Sequence, residues 1–335
     1  MHLTERCNLR CTHCYQTGAK TDEMSLSEIR DVAAETAEML KVWSDLHGID
    51  FSPSFNITGG EPFLRLDLFE IIEEISSRGF DIYLLSNGTL VDQEKAEILA
   101  RLGVKGVQVS VEGPREIHEG IRGQGSFAAS LRGVKLLLEA GLTVTLNVTL
   151  SELNAAYFAD LVSLSSSLGV QRLGFSRLVP SGRGAGLVDK MINKQKIKEI
   201  YEGIFSLSTG VLEIVTGDPV AAQMSSDEDE DCGSVATAGC AAGLSGLTIL
   251  PDGTLTPCRR LFVPLGNVRT DGLREIWSTS KVLGLLRDRR SYKGKCGRCD
   301  RWARCRGCRA IAYACSQARG KGDFLAEDPQ CFIRE

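Results

Sequence analysis

Three cysteines fall within eight residues in "ERCNLRCTHCYQ" (5–16): Cys7, Cys11 and Cys14, separated by three and then two residues. The odd number is the informative part. Four thiolates close a [4Fe–4S] cluster for electron transfer, whereas three leave one iron without a protein ligand and able to coordinate a substrate or cofactor. A zinc site that borrows its fourth ligand from elsewhere is the plainer alternative. Zinc sites favour paired CxxC or Cys/His knuckles, and this triplet is neither. The spacing points to a cluster with an open iron.

No further cysteine occurs until Cys232, after which nine crowd the last third: Cys232, Cys240, Cys258, Cys296, Cys299, Cys305, Cys308, Cys315 and Cys331. Spacing alone leaves these open between iron–sulfur ligands and a pair of zinc knuckles. Their separation from the first three implies a domain boundary between about residues 185 and 235, dividing the chain into 1–185, a connection over 186–234 and a cysteine-rich unit over 235–335. Twelve cysteines in a chain with no signal-peptide core argue for metal or redox chemistry and against a disulfide framework. The expected location is the cytoplasm. No apolar run reaches the length of a membrane span. The net charge of −4, with no basic face obvious in the sequence, excludes nucleic acid as a favoured partner.

The elements that must position these residues alternate along the first two hundred positions. "SLSEIRDVAAETAEML" opens with Ser25 and Glu28 at capping-box spacing, followed by a helical apolar stripe through Leu26, Ile29, Val32, Ala33, Ala37 and Leu40. Short β-rich runs at 54–58, 81–86, 106–111, 143–150 and 170–178 are separated by helical patterns, several ending on glycine. With "MHLT" as an abbreviated first strand this makes six β/α repeats. The fold class is α/β, with a parallel sheet, helices outside it and ligands at the C-terminal strand ends.

Motifs stand at those strand ends: "GGEP" (Gly59, Gly60, Glu61, Pro62), "SNG" (Ser86, Asn87, Gly88) and "VSVEGPREIHEGIRGQGSF" (109–127). Taken singly "GGEP" also reads as a simple turn. Together with the CxxxCxxC triplet, they resemble the radical SAM superfamily along the whole chain. The resemblance implies a partial (β/α)6 barrel and S-adenosylmethionine chelated by the open iron of a [4Fe–4S] cluster. Reductive cleavage then gives a 5′-deoxyadenosyl radical that abstracts hydrogen. It implies that Gly59, Gly60, Glu61 and Pro62 hold the cofactor's amino group, the glycines allowing close backbone approach. Ser110 and Arg122 match positions that contact its carboxylate. His13, in an aromatic position of the motif, would pack near the adenine, and Glu112 stands where aspartate is commoner. Asn147 reads equally as a ribose contact or as a loop-satisfying side chain. His118 reads as a capping or packing histidine.

The last third resembles the SPASM extension of that superfamily, which carries one or two auxiliary [4Fe–4S] clusters. Carried over by position, one cluster would use Cys240, Cys258 and Cys308 and a second Cys296, Cys299, Cys305 and Cys331. Two departures bear on this. Only two residues precede Cys308 where the family usually has three, and a cysteine often found between the positions of Cys240 and Cys258 is absent. The first auxiliary cluster would then keep an open iron or borrow Cys232. Cys315 is left as an ordinary buried thiol.

Sulfatase maturases carry an aspartate directly after the second auxiliary cysteine. This chain has Arg259 and then Arg260, a pair suited to a substrate carboxylate. The resemblance implies a ribosomally made peptide as substrate, crosslinked or oxidised, with tetrapyrrole side-chain modification or decarboxylation in a haem pathway as the alternative. A flavodoxin or ferredoxin would supply electrons. With six residues before Cys7, a peptide substrate calls for a separate leader-recognition protein or direct docking, and a segment preceding Met1 stays open. The acidic run at 227–231 reads as a solvated loop or a docking site, and 177–186 as either the active-site mouth or a linker. A reading of another class is a non-catalytic electron carrier or zinc scaffold, which would have no use for a methionine-binding pocket.

Overall fold

The computed structural model describes residues 1–19, 21–207, 209–224 and 239–333; Cys232 and the acidic run at 227–231 lie outside the described residues. Six parallel strands stand in chain order: β1 (Ser54–Ile57), β2 (Asp81–Ser86), β3 (Gly106–Ser110), β4 (Val144–Leu150), β5 (Arg172–Arg177) and β6 (Glu213–Thr216). Every crossover carries helix. They are α1 (Leu26–His47), which leads into β1, then α2 (Leu68–Ser76), α3 (Gln93–Arg101), α4 (Arg115–Arg122), α5 (Ser126–Glu139), α6 (Phe158–Leu168) and α7 (Lys194–Ser206). The capping box at Ser25 and Glu28 forms as its spacing requires, and Gly48 ends α1 in the left-handed conformation at φ 64°.

Two differences from the sequence reading concern the sheet edges. The segment read as the first strand, "MHLT", runs parallel beside β1 with Leu3 N–H donating to the Thr58 carbonyl at 2.8 Å, yet forms only an isolated bridge, His2 to Thr58. The sixth strand is instead Glu213–Thr216, inside the stretch read as a connection, and pairs with β5 from Arg172–Glu213 to Phe175–Thr216. Its four residues are half-buried or exposed, so no apolar alternation announces it.

Period-two patterning decides which strand faces serve the site. In β4, Val144, Leu146, Val148 and Leu150 are buried in the core while Thr145, Asn147 and Thr149 face the other way. Asn147 sits in register with Ser110 on β3 and Gly174 on β5. A Cβ on Gly174 would lie 2.8 Å from Asn147 Oδ1, so glycine there lets the Asn147 side chain lie across the strand.

The C-terminal part has a three-stranded antiparallel sheet: β7 (Thr248–Ile249), β8 (Thr254–Thr256) and β9 (Gly266–Asn267). The Pro251-Asp252-Gly253 turn joins β7 to β8, with Gly253 at φ 84°. Four helices follow, α8 (Leu273–Thr279), α9 (Lys281–Arg287), α10 (Lys295–Arg298) and α11 (Arg309–Gln317). The two parts pack at Trp43 on α1 against Trp277 on α8, ring centroids 5.8 Å apart. They are also joined through Arg177 at the end of β5. Its guanidinium, with no exposed surface, donates to Asp218 at 2.5 and 2.9 Å, to Asp328 at 2.8 and 3.0 Å and to Gln330 at 3.0 Å. Asp328 in turn accepts from Cys308 N–H at 2.8 Å, and Tyr201 on α7 donates to Asp218 at 2.8 Å.

Removing one partner of this network leaves a buried charge uncompensated. Asp328→Ala should cost about 3–5 kcal/mol in chemical denaturation. A loss under about 1 kcal/mol would show that the network does not hold the parts together.

Candidate active site

Cys7, Cys11 and Cys14 lie on a loop that leaves the bridge beside β1 and curls over the C-terminal strand ends. Leu9 N–H points at Cys7 Sγ at 3.4 Å, and Cys14 N–H donates to the Cys11 carbonyl at 3.4 Å. The "GGEP" turn holds this loop. Gly60 N–H donates to the Thr4 carbonyl at 2.6 Å and Glu61 N–H to the Arg6 carbonyl at 2.8 Å, and a Cβ on either glycine would collide with that backbone. The close approach served by these glycines is therefore to the cysteine loop itself, as well as to the cleft they line. Pro62 does not line the cleft; it begins a short 3-10 turn, Pro62–Leu64. The segment at 177–186 packs along the same loop, with Gly184 N–H donating to the Cys14 carbonyl at 2.9 Å and Arg183 lining the cleft.

The three thiols open onto a cleft of about 130 Å³ that continues into open solvent. Ser86, Ser110, Asn147, Thr149 and Ser176 reach it from successive strands, as strand alternation dictates. Arg259 and Arg260 line it as well. His13, Gly59, Gly60, Ser110, Arg122 and Asn147 are thus brought to one cavity with the cysteines.

Glu61 is fully buried and faces the protein. Its carboxyl accepts from Ser86 Oγ at 2.8 Å, Asn87 N–H at 2.8 Å and Phe63 N–H at 3.3 Å, tying the β1 and β2 ends together. Burial pushes it up to about 7 against the pull of those donors. Glu112 has the opposite balance. Burial would raise it, but Arg122 and then His13 outweigh burial and hold the carboxyl well below the ordinary range. His13 Nε2 lies 3.0 Å from Glu112 Oε1, to which Arg122 also donates at 2.5 and 2.9 Å, while Thr149 N–H donates to Oε2 at 2.9 Å. His13 and Glu112, which stands where aspartate is commoner, therefore meet. Arg122 turns its remaining nitrogen to Cys11 Sγ at 3.7 Å, and His13 Nδ1 is buried without a partner. His118 stays out of the cleft, edge-on to Phe127 at 5.5 Å and lowered by burial to about 4.

In the C-terminal part, Cys296, Cys299, Cys305 and Cys331 line one cavity of about 480 Å³. Cys240, Cys258, Cys308 and Cys315 pack in a separate apolar cluster, with Cys315 Sγ against Met191 Sδ at 3.5 Å. Arg260 neighbours Cys308 and Cys258, and its Nε is buried without a partner. Among the described residues, no three His, Cys, Asp or Glu side chains converge as one metal ion would require. Cys296, Cys299, Cys305 and Cys331 surround a volume, which is the arrangement a multi-atom cluster needs.

A profile of the radical SAM superfamily matches residues 1–164, and one of the SPASM iron–sulfur cluster-binding domain matches residues 240–309. The chain is 32% identical to an AdoMet-dependent heme synthase of Methanosarcina barkeri, over 99% of this chain and 95% of that one. The chain belongs to the radical SAM superfamily. It is also 30% identical to the mycofactocin maturase MftC of Mycobacterium tuberculosis, over 93% of this chain and 78% of the relative. Its fold is shared with native anSMEcpe with bound AdoMet, at a TM-score of 0.73 and 20% identity over 98% and 92% of the two chains.

The cofactors of a radical SAM enzyme fit these residues. Three thiols suit a [4Fe–4S] cluster with one open iron, and the same cleft offers the unpartnered His13 Nδ1, the Arg122 guanidinium and four strand-end hydroxyls. Burial pushes Cys7 up to about 11 and Cys305 and Cys308 up to about 12, so ligation must displace protons. Residues the sequence reading passed over here are Thr149 and Asn154, whereas Arg183 belongs to the 177–186 stretch read as the active-site mouth or a linker. Asn154 donates to the Glu112 carbonyl at 3.1 Å, a contact between loops that no spacing encodes.

Anaerobically reconstituted protein should hold about twelve irons at four per cluster, falling to about eight in Cys7→Ala/Cys11→Ala/Cys14→Ala. Unchanged iron in that variant would exclude the N-terminal site. Glu61 gives a pH test. From about pH 4.5 to 7 the folded chain keeps a proton that the unfolded chain releases, so its contribution is full below that window and lost as pH rises through it. Stability should fall by about 3 kcal/mol across the window, and Glu61→Gln should flatten that slope.

Proposed function

We propose that this radical SAM enzyme modifies a ribosomally made peptide that presents a carboxylate to Arg259 and Arg260. When bound, the reduced cluster and S-adenosylmethionine supply a 5′-deoxyadenosyl radical able to take a hydrogen atom from an unactivated carbon. The chain's own residues do the rest. The observation that carries the substrate reading is Arg260: it is half-buried, one Nη donates to the Arg177 carbonyl at 3.3 Å, and its buried Nε is left unpartnered beside the cleft. A guanidinium so placed suits a carboxylate entering from the cleft. Arg122, fixed by Glu112, keeps a positive charge beside Cys11 without swinging into the space the substrate needs. Gly59, Gly60, Ser110, His13 and Asn147 serve the cofactor from the walls, and their packing limits the water that could quench a radical.

The cleft is confined between the strand ends and the cysteine loop and must be shared with the cofactors, which suits one side chain or chain terminus threading in better than a flat macrocycle. A tetrapyrrole substrate is the second reading. It is favoured by the heme synthase of Methanosarcina barkeri, which aligns over 95% of its length against 78% for the mycofactocin maturase. Both substrates belong to a reducing compartment, and the cytoplasm fits a chain whose described cysteines are all free. Among the described residues no helix is long and apolar enough to cross a membrane.

The test is 5′-deoxyadenosine formation with candidate peptides as free acids, the same peptides as C-terminal amides, and an iron tetrapyrrole. Turnover confined to free-acid peptides supports the proposal, and turnover of the tetrapyrrole alone replaces it with the second reading. Arg260→Leu should raise KM for the accepted substrate about 10- to 100-fold, the loss of one charged hydrogen-bonding group. An unchanged KM would remove Arg260 from substrate binding.

A further inference from the structure

Gln223 belongs to neither matched region, which cover residues 1–164 and 240–309, and it does not line the cleft of the N-terminal thiols. It ends the 3-10 turn Pro219–Gln223 that follows β6. Asp218 caps that turn, accepting from Val220 N–H at 2.9 Å, and is itself held by Arg177 at 2.9 Å. At the other end Arg301, between Cys299 and Cys305, donates to the Gln223 carbonyl at 2.8 Å. The Gln223 backbone is thus fixed from both parts of the chain. Its buried side chain lines the cavity of Cys296, Cys299, Cys305 and Cys331.

The amide nitrogen meets sulfur, and the amide oxygen meets nothing. Nε2 reaches Cys305 Sγ at 3.4 Å and Cys331 Sγ at 3.6 Å, ordinary lengths for an acceptor as large as sulfur, while Oε1 is buried without a partner. An orphaned buried carbonyl costs free energy, so the arrangement needs a reason at the nitrogen. Free thiols give a weak one, since they accept poorly. Deprotonated ligand sulfurs give a strong one: they only accept, and their negative charge makes each N–H···S bond charge-assisted. Two further donors aim at the same thiols, Gly307 N–H at Cys305 Sγ, 3.3 Å away, and Arg309 at Cys296 Sγ, 3.6 Å away. Those two belong to the cysteine run itself. Gln223 comes from the end of the barrel sheet, 82 and 108 residues distant from the two sulfurs it meets.

We propose that Gln223 is a positioning residue that sets the reduction potential of the iron–sulfur group held by Cys296, Cys299, Cys305 and Cys331. One-electron reduction by a donor such as dithionite adds negative charge that the ligand sulfurs share, with no bond broken and no proton moved. The Gln223 N–H groups therefore hold the reduced form more tightly than the oxidised one, which raises the potential. Because Nε2 meets sulfurs from two segments, it also fixes the tail bearing Cys331 against the central cysteine run. The inference rests on the reading that those four cysteines hold a cluster, and it is independent of which substrate the cleft accepts.

Reconstituted holoenzyme and its Gln223→Met and Gln223→Leu variants are titrated with dithionite through redox mediators and followed by electron paramagnetic resonance. Iron and zinc are measured on the same samples. Both substitutions remove the donor and leave an apolar side chain in its place. With iron unchanged, one cluster transition should move to more negative potential, its reduction constant falling about 10-fold, equivalent to about 59 mV for one electron. The other transitions should stay within about twofold. All transitions unmoved, all moved together, or a shift to more positive potential overturns the assignment. Loss of about four irons in both variants, with an unchanged unfolding temperature, confines Gln223 to building the site and overturns its control of the potential. Zinc in place of iron at the four cysteines overturns the cluster reading beneath it. A failure of the peptides to support 5′-deoxyadenosine formation leaves these transitions where they are.

Discussion

A guanidinium sealed from water holds the two cysteine-bearing parts of this enzyme in register. Arg177 ends β5, yet two of its partners, Asp328 and Gln330, belong to the C-terminal tail that delivers Cys331. A third, Asp218, follows β6. Burial would strip the charge from Arg177, but Asp218 and Asp328 outweigh it and hold the guanidinium well above its ordinary range. Asp328 also takes the Cys308 N–H, and the Arg177 carbonyl takes a nitrogen of Arg260. The distance between the N-terminal thiols and the C-terminal ones is therefore set by fully satisfied, directional bonds, where apolar packing would tolerate slippage.

Around the N-terminal thiols the same principle operates on a smaller scale. Glu112 gathers His13, Arg122, Thr149 and Asn154, four groups from four segments, onto one buried carboxylate. The extra methylene of glutamate relative to the aspartate commoner in the family gives it reach towards a histidine in an aromatic position. Glu61 does comparable work between β1 and β2. Preorganisation of this kind matters for radical chemistry, because groups already fixed need not reorganise and leave less room for water.

Charge is distributed to match. A mildly acidic chain places basic groups at both thiol-lined cavities: Arg122, Arg183, Arg259 and Arg260 along the cleft, and Lys295, Arg298, Arg301 and Arg306 at the four-thiol cavity. The relatives that align along most of this chain, a heme synthase and a mycofactocin maturase, bear names for different products, as one fold can host different functions.

Much of this was legible in the sequence because it is local. Three thiols in eight residues, a capping box, glycine-ended helices and a Pro-Asp-Gly hairpin are all written within a few positions, and their physics needs no distant partner. Strand alternation likewise marked the inner and outer faces of β4. What the tertiary structure decided is non-local. The glycines of "GGEP" proved to face the Thr4–Arg6 backbone, a contact made across a parallel crossover. β6 is a strand only because β5 offers it a ladder, since its own residues show no alternation. That His13 and Glu112 are partners, 99 residues apart, depends on α4 folding back over the cysteine loop. The sequence alone determined which chemistry is available; the packing of distant segments decided which groups share a charge, because pairing energies depend on distances that no spacing rule contains.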